Sequence, residues 1–231
     1  MSINTIVSDM DDTLIECHGE YKTVLRQGGE YINKVTGLDI TLATELISHI
    51  DLTSVKHSLC FQKNRFPTSF GIALWTAGAI VGKKVTDLEA AEIIDIGSSV
   101  FLAEYPLYPG VKDALLNLKT RGFELVLYTK GDPDVQKFKI EKHQLSSIFD
   151  KIMIIPAKII DWLVEAMIEL NKGPSEVIMV GDSLKDDIAP AKSLGIKTAH
   201  VSHSDAWIYG DHDVKPDIVL KSFAELTDKL P

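Results

Sequence analysis

From Tyr108 to Ser202 short apolar runs alternate with helix-like stretches, and few architectures accept that pattern. Pro109-Gly110 opens a helix through Leu115, Leu116 and Leu118, Gly122 stops it, and Glu124-Leu-Val-Leu-Tyr-Thr129 follows as an apolar run. The cycle repeats with Lys151-Ile-Met-Ile-Ile155, a helix around Ile159 to Leu170, Val177-Ile-Met-Val180, a helix from Ile188 to Leu194, and a last run from Thr198 to Ser202. Strands that are apolar throughout and separated by helices predict a parallel sheet covered on both faces, a three-layer α/β core. A β-prone run at residues 3–8 can join this sheet from a distance. Between that run and Tyr108 lies a stretch, from about residue 15 to 105, with helical spacing and almost no strand signal. In it Leu42, Leu46, Ile47 and Ile50 are expected to share one helical face, Leu88, Ala91, Glu92 and Asp95 in part another, and Phe70 to Val81 to form a buried helix. The expected organisation is a catalytic core of residues 1–15 and 106–231, with a smaller all-helical domain, residues 16–105, inserted after the first strand.

In open parallel sheets ligands bind in the crevice outside the carboxyl ends of the strands. Four distant segments place polar groups there: Asp9 and Asp11 after the first strand, Thr129 at the end of the second, Lys158 shortly after the third, and Asp182, Asp186 and Asp187 after the fourth.

A chain of 231 residues with 45% hydrophobic content can bury a real core. Its formal charge of -9 argues against a nucleic-acid backbone as the main partner, because phosphate-tracking surfaces need an excess of Lys and Arg. Cys17 and Cys60 form no metal-ligand spacing and no disulfide framework, and are read as free thiols of a reducing, cytoplasmic setting. No basic region followed by an apolar signal core begins the sequence, and no uncharged apolar run approaches the roughly 20 residues of a membrane span. Nothing in the sequence specifies an oligomeric state.

The segment Ile6-Val-Ser-Asp9-Met-Asp11-Asp-Thr13-Leu14 resembles the signature of the haloacid dehalogenase-like superfamily, an apolar strand followed by Asp-x-Asp-x-Thr. Gly181-Asp182-Ser183-Leu184-Lys185-Asp186-Asp187-Ile188 is similar to the family's fourth motif, Thr129 stands where its second motif has Thr or Ser, and Lys158 lies at a suitable distance before Gly181. The four elements come in the family's order, over about 140 residues. The resemblance implies a Rossmann-like core and an aspartyl-phosphate mechanism. Asp9 would be the nucleophile, and Asp11, two residues on, the acid that protonates the leaving oxygen and then the base that activates water. Thr129 and Lys130 would bind the substrate phosphate with Lys158, which also holds Asp9 ionised. Magnesium is the implied cofactor, held by the Asp9 side chain, the Asp11 carbonyl and the Asp182 side chain, with Asp186 or Asp187 behind; Asp187 is preferred because Ile188 follows it, as in the family.

Two positions depart from the family. Asp12 stands where Gly is usual, and Asp tolerates unusual backbone angles better than most residues. Lys158 is followed by Ile rather than Pro, which leaves Lys151 as a fallback. Dehalogenases of the superfamily lack the second Asp, since a halide needs no proton; Asp11 therefore points to phosphoryl chemistry on a small phosphorylated metabolite. The insertion sits where the family carries a helical cap over the active site. A phosphomutase using the same residues and a catalytically silent binding protein are the other readings that this pattern allows.

Overall fold

The computed structural model describes residues 3–58, 62–202 and 214–231. Cys60 lies outside the described residues. The chain divides into two compact units, Met1–His18 with Tyr105–Pro231, and Gly19–Glu104.

The first unit is a six-stranded parallel sheet with helices, ordered β3-β2-β1-β4-β5-β6. Its strands are β1 (Thr5–Ser8), β2 (Glu124–Lys130), β3 (Lys151–Ile155), β4 (Val177–Gly181), β5 (Lys197–Val201) and β6 (Ile218–Leu220). The short first strand takes a central place: Thr5 to Ser8 pair with Glu124 to Leu127 on one side and with Val177 to Val180 on the other. All four of its residues are buried, as are all five of β4. Strands this uniformly buried need cover on both faces. On one face Val7, Val126, Tyr128, Met153, Val177 and Met179 pack with Leu163, Ala166, Met167 and Leu170, the stripe at helical spacing on the helix Ile160–Leu170. The alternate residues Ile6, Leu125, Leu127, Ile178 and Val180, equally buried, point to the opposite face. Strand order reverses between β1 and β4, and that reversal opens a crevice beyond their carboxyl ends.

The second unit holds four helices, α1 (His18–Thr36), α2 (Ile40–Ser58), α3 (Arg65–Val81) and α4 (Asp87–Ser98). The helices of the sheet unit follow as α5 (Val111–Thr120), α6 (Pro133–Lys142), α7 (Ile160–Leu170), α8 (Ala189–Ser193) and α9 (Leu226–Lys229). Thr86 starts α4 through a capping box with Glu89. An edge-to-face ladder of Tyr21, Phe66 and Phe70, with ring centroids 5.0 Å apart, anchors the helical packing.

Three expectations about this unit are corrected. In α2 the fully buried stripe is Ala43, Ile47 and Asp51, while Leu42 faces solvent; Asp51 pairs with Arg65 inside the unit, so a charged residue marks the buried face and an apolar one the surface. In α4 the buried residues are Ala90, Ile93 and Gly97, and Leu88 is 69% exposed, because small residues rather than large ones let the helices approach. The Phe70 to Val81 run is helical but one-sided: Phe70, Ala73, Leu74 and Ala77 are buried, whereas Ile72, Trp75, Ile80 and Val81 are exposed. The sixth strand, three residues at the sheet edge, was not expected from the sequence. Among the described residues no helix is long and apolar enough to cross a membrane.

Candidate active site

Asp9 follows β1 directly, and its backbone N–H donates to Val180 O of β4 (2.9 Å), so the end of the sheet fixes its position. Carboxylate oxygens of Asp9, Asp182 and Asp187 lie within 4.8 Å of one another. Lys158 Nζ enters from the loop after β3 and sits 2.5 Å from Asp9 Oδ1 and 2.6 Å from Asp187 Oδ1. The Lys158 side chain is 3% exposed and that of Asp187 is 0% exposed, so this is an ion-pair network inside the protein. Burial opposes the charge on Lys158, but Asp187 and Asp9 outweigh it and hold the ammonium well above the ordinary lysine range. Burial, with repulsion from Asp9, pushes Asp187 up to about 7 against the pull of Lys158. Asp182 is raised well above its ordinary value, first by burial and then by Asp9 and Asp187. If all three carboxyls are ionised, one ammonium leaves two negative charges in excess, in a donor set made entirely of oxygen, which is why burial resists their ionisation without a further cation. That charge and those hard ligands suit a dication such as magnesium.

The segment after β4 explains how Asp187 reaches this cluster. Residues Leu184–Ile188 form a π turn, in which Ile188 N–H donates to Ser183 O (3.1 Å), and Ser183 Oγ accepts from Asp186 N (3.1 Å). Asp187 Oδ2 accepts from Ser183 N (3.1 Å), folding the carboxylate back over Gly181. A Cβ at position 181 would lie 2.3 Å from that carboxylate, so only Gly fits. Asp186 turns the other way and pairs with Lys130. Lys130 and Thr129 thus part: Thr129 is buried, whereas Lys130 joins Asp186 at the rim. Lys151, the fallback for Lys158, pairs with Glu169 on the surface (2.6 Å) and lies outside the cluster.

Thr13 ties the two acidic strand ends together. Its Oγ1 accepts from Asp182 N (3.0 Å) and lies 3.4 Å from both Asp9 Oδ2 and Asp182 Oδ1. Asp12 takes a left-handed backbone, φ 56°, and its Oδ1 accepts from the N–H groups of Cys17 and His18, each at 2.9 Å. Its side chain therefore works where Gly would offer only conformational freedom.

Asp11 meets a second set of partners. Its Oδ1 accepts from Lys139 Nζ (2.9 Å) and from Cys17 Sγ (3.2 Å), and its Oδ2 from Gln136 Nε2 (3.0 Å). Burial raises the Asp11 pKa, but Lys139 and the hydrogen bonds outweigh it and hold the carboxyl below its ordinary range. Burial and the neighbouring Asp11 push the Cys17 thiol up, so it is a neutral donor. Gln136 Nε2 also donates to Thr129 Oγ1 (2.6 Å). Thr13, Gln136, Lys139 and Ser183 were not singled out from the sequence for these contacts. Thr13 stands inside the Asp-x-Asp-x-Thr pattern, but Gln136 and Lys139 lie on a helix with no motif.

The haloacid dehalogenase-like hydrolase family matches residues 3–195. The chain is 36% identical over 95 residues to a glyceraldehyde 3-phosphate phosphatase of Pyrococcus furiosus, covering 39% of this chain and 40% of that one. It is 30% identical over 206 residues to a glyceraldehyde 3-phosphate phosphatase of Pyrococcus abyssi, covering 85% and 80%. The chain spans about half the length of several other curated relatives that it matches. Among solved structures, a haloacid dehalogenase-like family hydrolase from Xanthomonas campestris superposes with a TM-score of 0.77 at 21% identity, over 99% of this chain and 94% of that one. With the family match spanning most of the chain and the same fold found at low identity, this protein belongs to the haloacid dehalogenase-like hydrolases.

Proposed function

We propose that the protein is a magnesium-dependent phosphatase that hydrolyses a small phosphomonoester through an aspartyl-phosphate on Asp9. The observation that carries this reading is the buried pairing of Lys158 with Asp9 and Asp187, with the half-buried Asp182 beside them, at the sheet's reversal point. Relatives named as phosphatases of glyceraldehyde 3-phosphate, phosphoglycolate and phosphoserine support the substrate class.

In this mechanism a carboxylate oxygen of Asp9 attacks phosphorus and the bond to the leaving oxygen breaks, with Asp11 delivering a proton that it takes up when the substrate binds, against the hold of Lys139 on its ionised form. Water then attacks the aspartyl-phosphate, Asp11 takes its proton, and phosphate leaves with the Asp9 carboxylate restored. Lys158 neutralises charge on the transferring group and Thr129 binds its oxygens, while Lys130, held by Asp186 at the rim, would reach the phosphate only by leaving that pairing. The metal would be held by the Asp9 and Asp182 side chains and the Asp11 carbonyl, with Asp187 supporting. Bound there, a dication draws charge from the phosphoryl oxygens and lets two anions meet. Residues 16–105 act as a helical cap that selects the substrate, and residues 1–15 with 106–231 as the catalytic core. The cytoplasm is the proposed setting, in keeping with Cys17 as a buried free thiol.

The test is phosphate release from a panel of phosphorylated metabolites and p-nitrophenyl phosphate, with magnesium or with EDTA. Release that stops with EDTA and with Asp9→Asn is the expected result; release that persists in folded Asp9→Asn protein refutes the covalent step.

A further inference from the structure

We propose that Gln136 and Lys139 of α6 are positioning residues that together set the Asp11 carboxylate and the Thr129 hydroxyl in the geometry the reaction needs. The inference rests on the phosphatase reading above and adds two residues to it.

Both side chains are buried, Gln136 at 2% and Lys139 at 2% exposure, an unusual state for an amide and an ammonium that needs paired partners. Asp11 supplies them. Lys139 Nζ is 2.9 Å from its Oδ1 and stands 4.5 Å from the centre of the Tyr105 ring, which closes one side of the cation. Gln136 has one amide NH2 group and two acceptors to serve. A carboxylate only accepts hydrogen bonds, so Asp11 Oδ2 obliges the amide to turn its nitrogen toward it rather than its carbonyl. The second hydrogen of the same nitrogen then points at Thr129 Oγ1, which lies 2.6 Å from that nitrogen. Thr129 Oγ1 is thereby the acceptor in that bond, and its own proton is directed elsewhere, to be donated to a phosphate oxygen. One amide nitrogen thus couples the proton-transfer group to the phosphate-binding group.

The backbone is shaped to admit this arrangement. Gly131 takes φ 145°, and a Cβ there would lie 3.2 Å from Gln136 Cδ. Asp132 caps the following helix through Asp134 N and Val135 N, which fixes where the first turn of α6 presents Gln136. Lys139 comes three residues later, on the same helical face.

A positioning role differs from a merely structural one in its dependence on the leaving group. An acidic leaving group departs without a proton, whereas a basic one needs Asp11. The experiment measures kcat/KM of the full-length protein with magnesium for substituted phenyl phosphates from p-nitrophenyl to p-methoxyphenyl. The variants are Gln136→Leu, Lys139→Met, Lys139→Arg and Asp11→Asn, with thermal melts to confirm folding. The expected result for Gln136→Leu and Lys139→Met is a loss of about tenfold or more on the p-methoxyphenyl ester against about threefold or less on the p-nitrophenyl ester, the same pattern as Asp11→Asn. Lys139→Arg is expected to recover part of the loss, and Lys139→Met made in Asp11→Asn to add less than about threefold. Equal losses on all esters in folded Gln136→Leu protein, or full additivity with Asp11→Asn, overturn this inference and leave the phosphatase reading intact. A wild type that releases no phosphate from any ester overturns both.

Discussion

Replacing Lys158 with Met keeps the length and bulk of the side chain and removes its charge, which makes it the sharpest probe of the acidic cluster. Lys158 Nζ is 2.5 Å from Asp9 and 2.6 Å from Asp187, and none of the three side chains is more than 7% exposed. At an effective dielectric constant of about 20, each contact carries about 6 kcal/mol of gross attraction. Desolvation of the three groups takes most of that back, and removing one partner of a buried pair costs about 3–5 kcal/mol net. Lys158→Met is therefore expected to lose about 3–5 kcal/mol in urea unfolding followed in EDTA. Saturating magnesium is expected to narrow the gap by at least about 1 kcal/mol, because a dication bound to the native state compensates the carboxylates that Lys158 no longer serves. Phosphate release should fall by about 10²–10³ even with magnesium, since the lost charge also faces the transferring group. A variant within about 1 kcal/mol of wild type in EDTA, or one that magnesium stabilises no more than wild type, would falsify the claim that Asp9 and Asp187 share one buried cation.

Gly181→Ala is expected to cost about 1–3 kcal/mol and to weaken activation by magnesium, because the new methyl displaces the Asp187 carboxylate; a magnesium titration of phosphate release checks it, and an unchanged midpoint refutes it. Asp12→Ala should lose about 1–2 kcal/mol in chemical denaturation, combining two lost N–H partners with a left-handed backbone, and Asp12→Gly should lose less, since Gly relieves the backbone. Asp217 accepts from Thr198 N and Thr198 Oγ1, each at 2.9 Å, and from Lys192 Nζ at 2.7 Å; burial opposes its ionisation but these bonds hold its pKa below the ordinary value. Because the side chain is about a third exposed and screened by water, its contribution is only a few tenths of a kcal/mol; it is present above the unfolded carboxylate pKa of about 3.9 and is lost as pH falls through the lower folded value. Asp217→Ala should therefore destabilise at pH 7 and match wild type in strong acid, as measured by melts across pH.

What could be read from the sequence follows from how local the cause was. Asp9, Thr129 and Asp182 sit at or just past ends of apolar strands, so the strand pattern alone puts them on one edge of the sheet. Lys158 stands on an irregular loop, where no periodicity sets its direction, and only its burial between two carboxylates distinguishes it from Lys151. The choice between Asp186 and Asp187 turned on a π turn, whose wider hydrogen bonding from Ser183 to Ile188 carries no compositional mark. Gln136 and Lys139 escaped for the opposite reason. The buried residues of α6 are Val135, Gln136, Lys139 and Ile140, so its inward face mixes apolar and polar groups and has no hydrophobic stripe to follow. The same mixing of Asp51 into α2 shifted the buried face of that helix, which keeps the expected Ile47 but leaves Leu42 outside.

The central place of β1 has a consequence for the order in which this protein can assemble. Its partners in β2 and β4 begin 119 and 172 residues further along the chain, so an all-buried strand must wait for distant segments before either edge is covered. The Gly19–Glu104 unit is continuous in sequence and closes on local contacts, which favours its forming first. Until β2 arrives, the residues Thr5–Ser8 present two open strand edges, and until β4 arrives one, the state in which a chain is most exposed to pairing with a neighbour. The strand that carries Asp9 to the proposed reaction thus makes the pairings most distant in sequence, and slow completion of the sheet should govern when activity first appears on refolding.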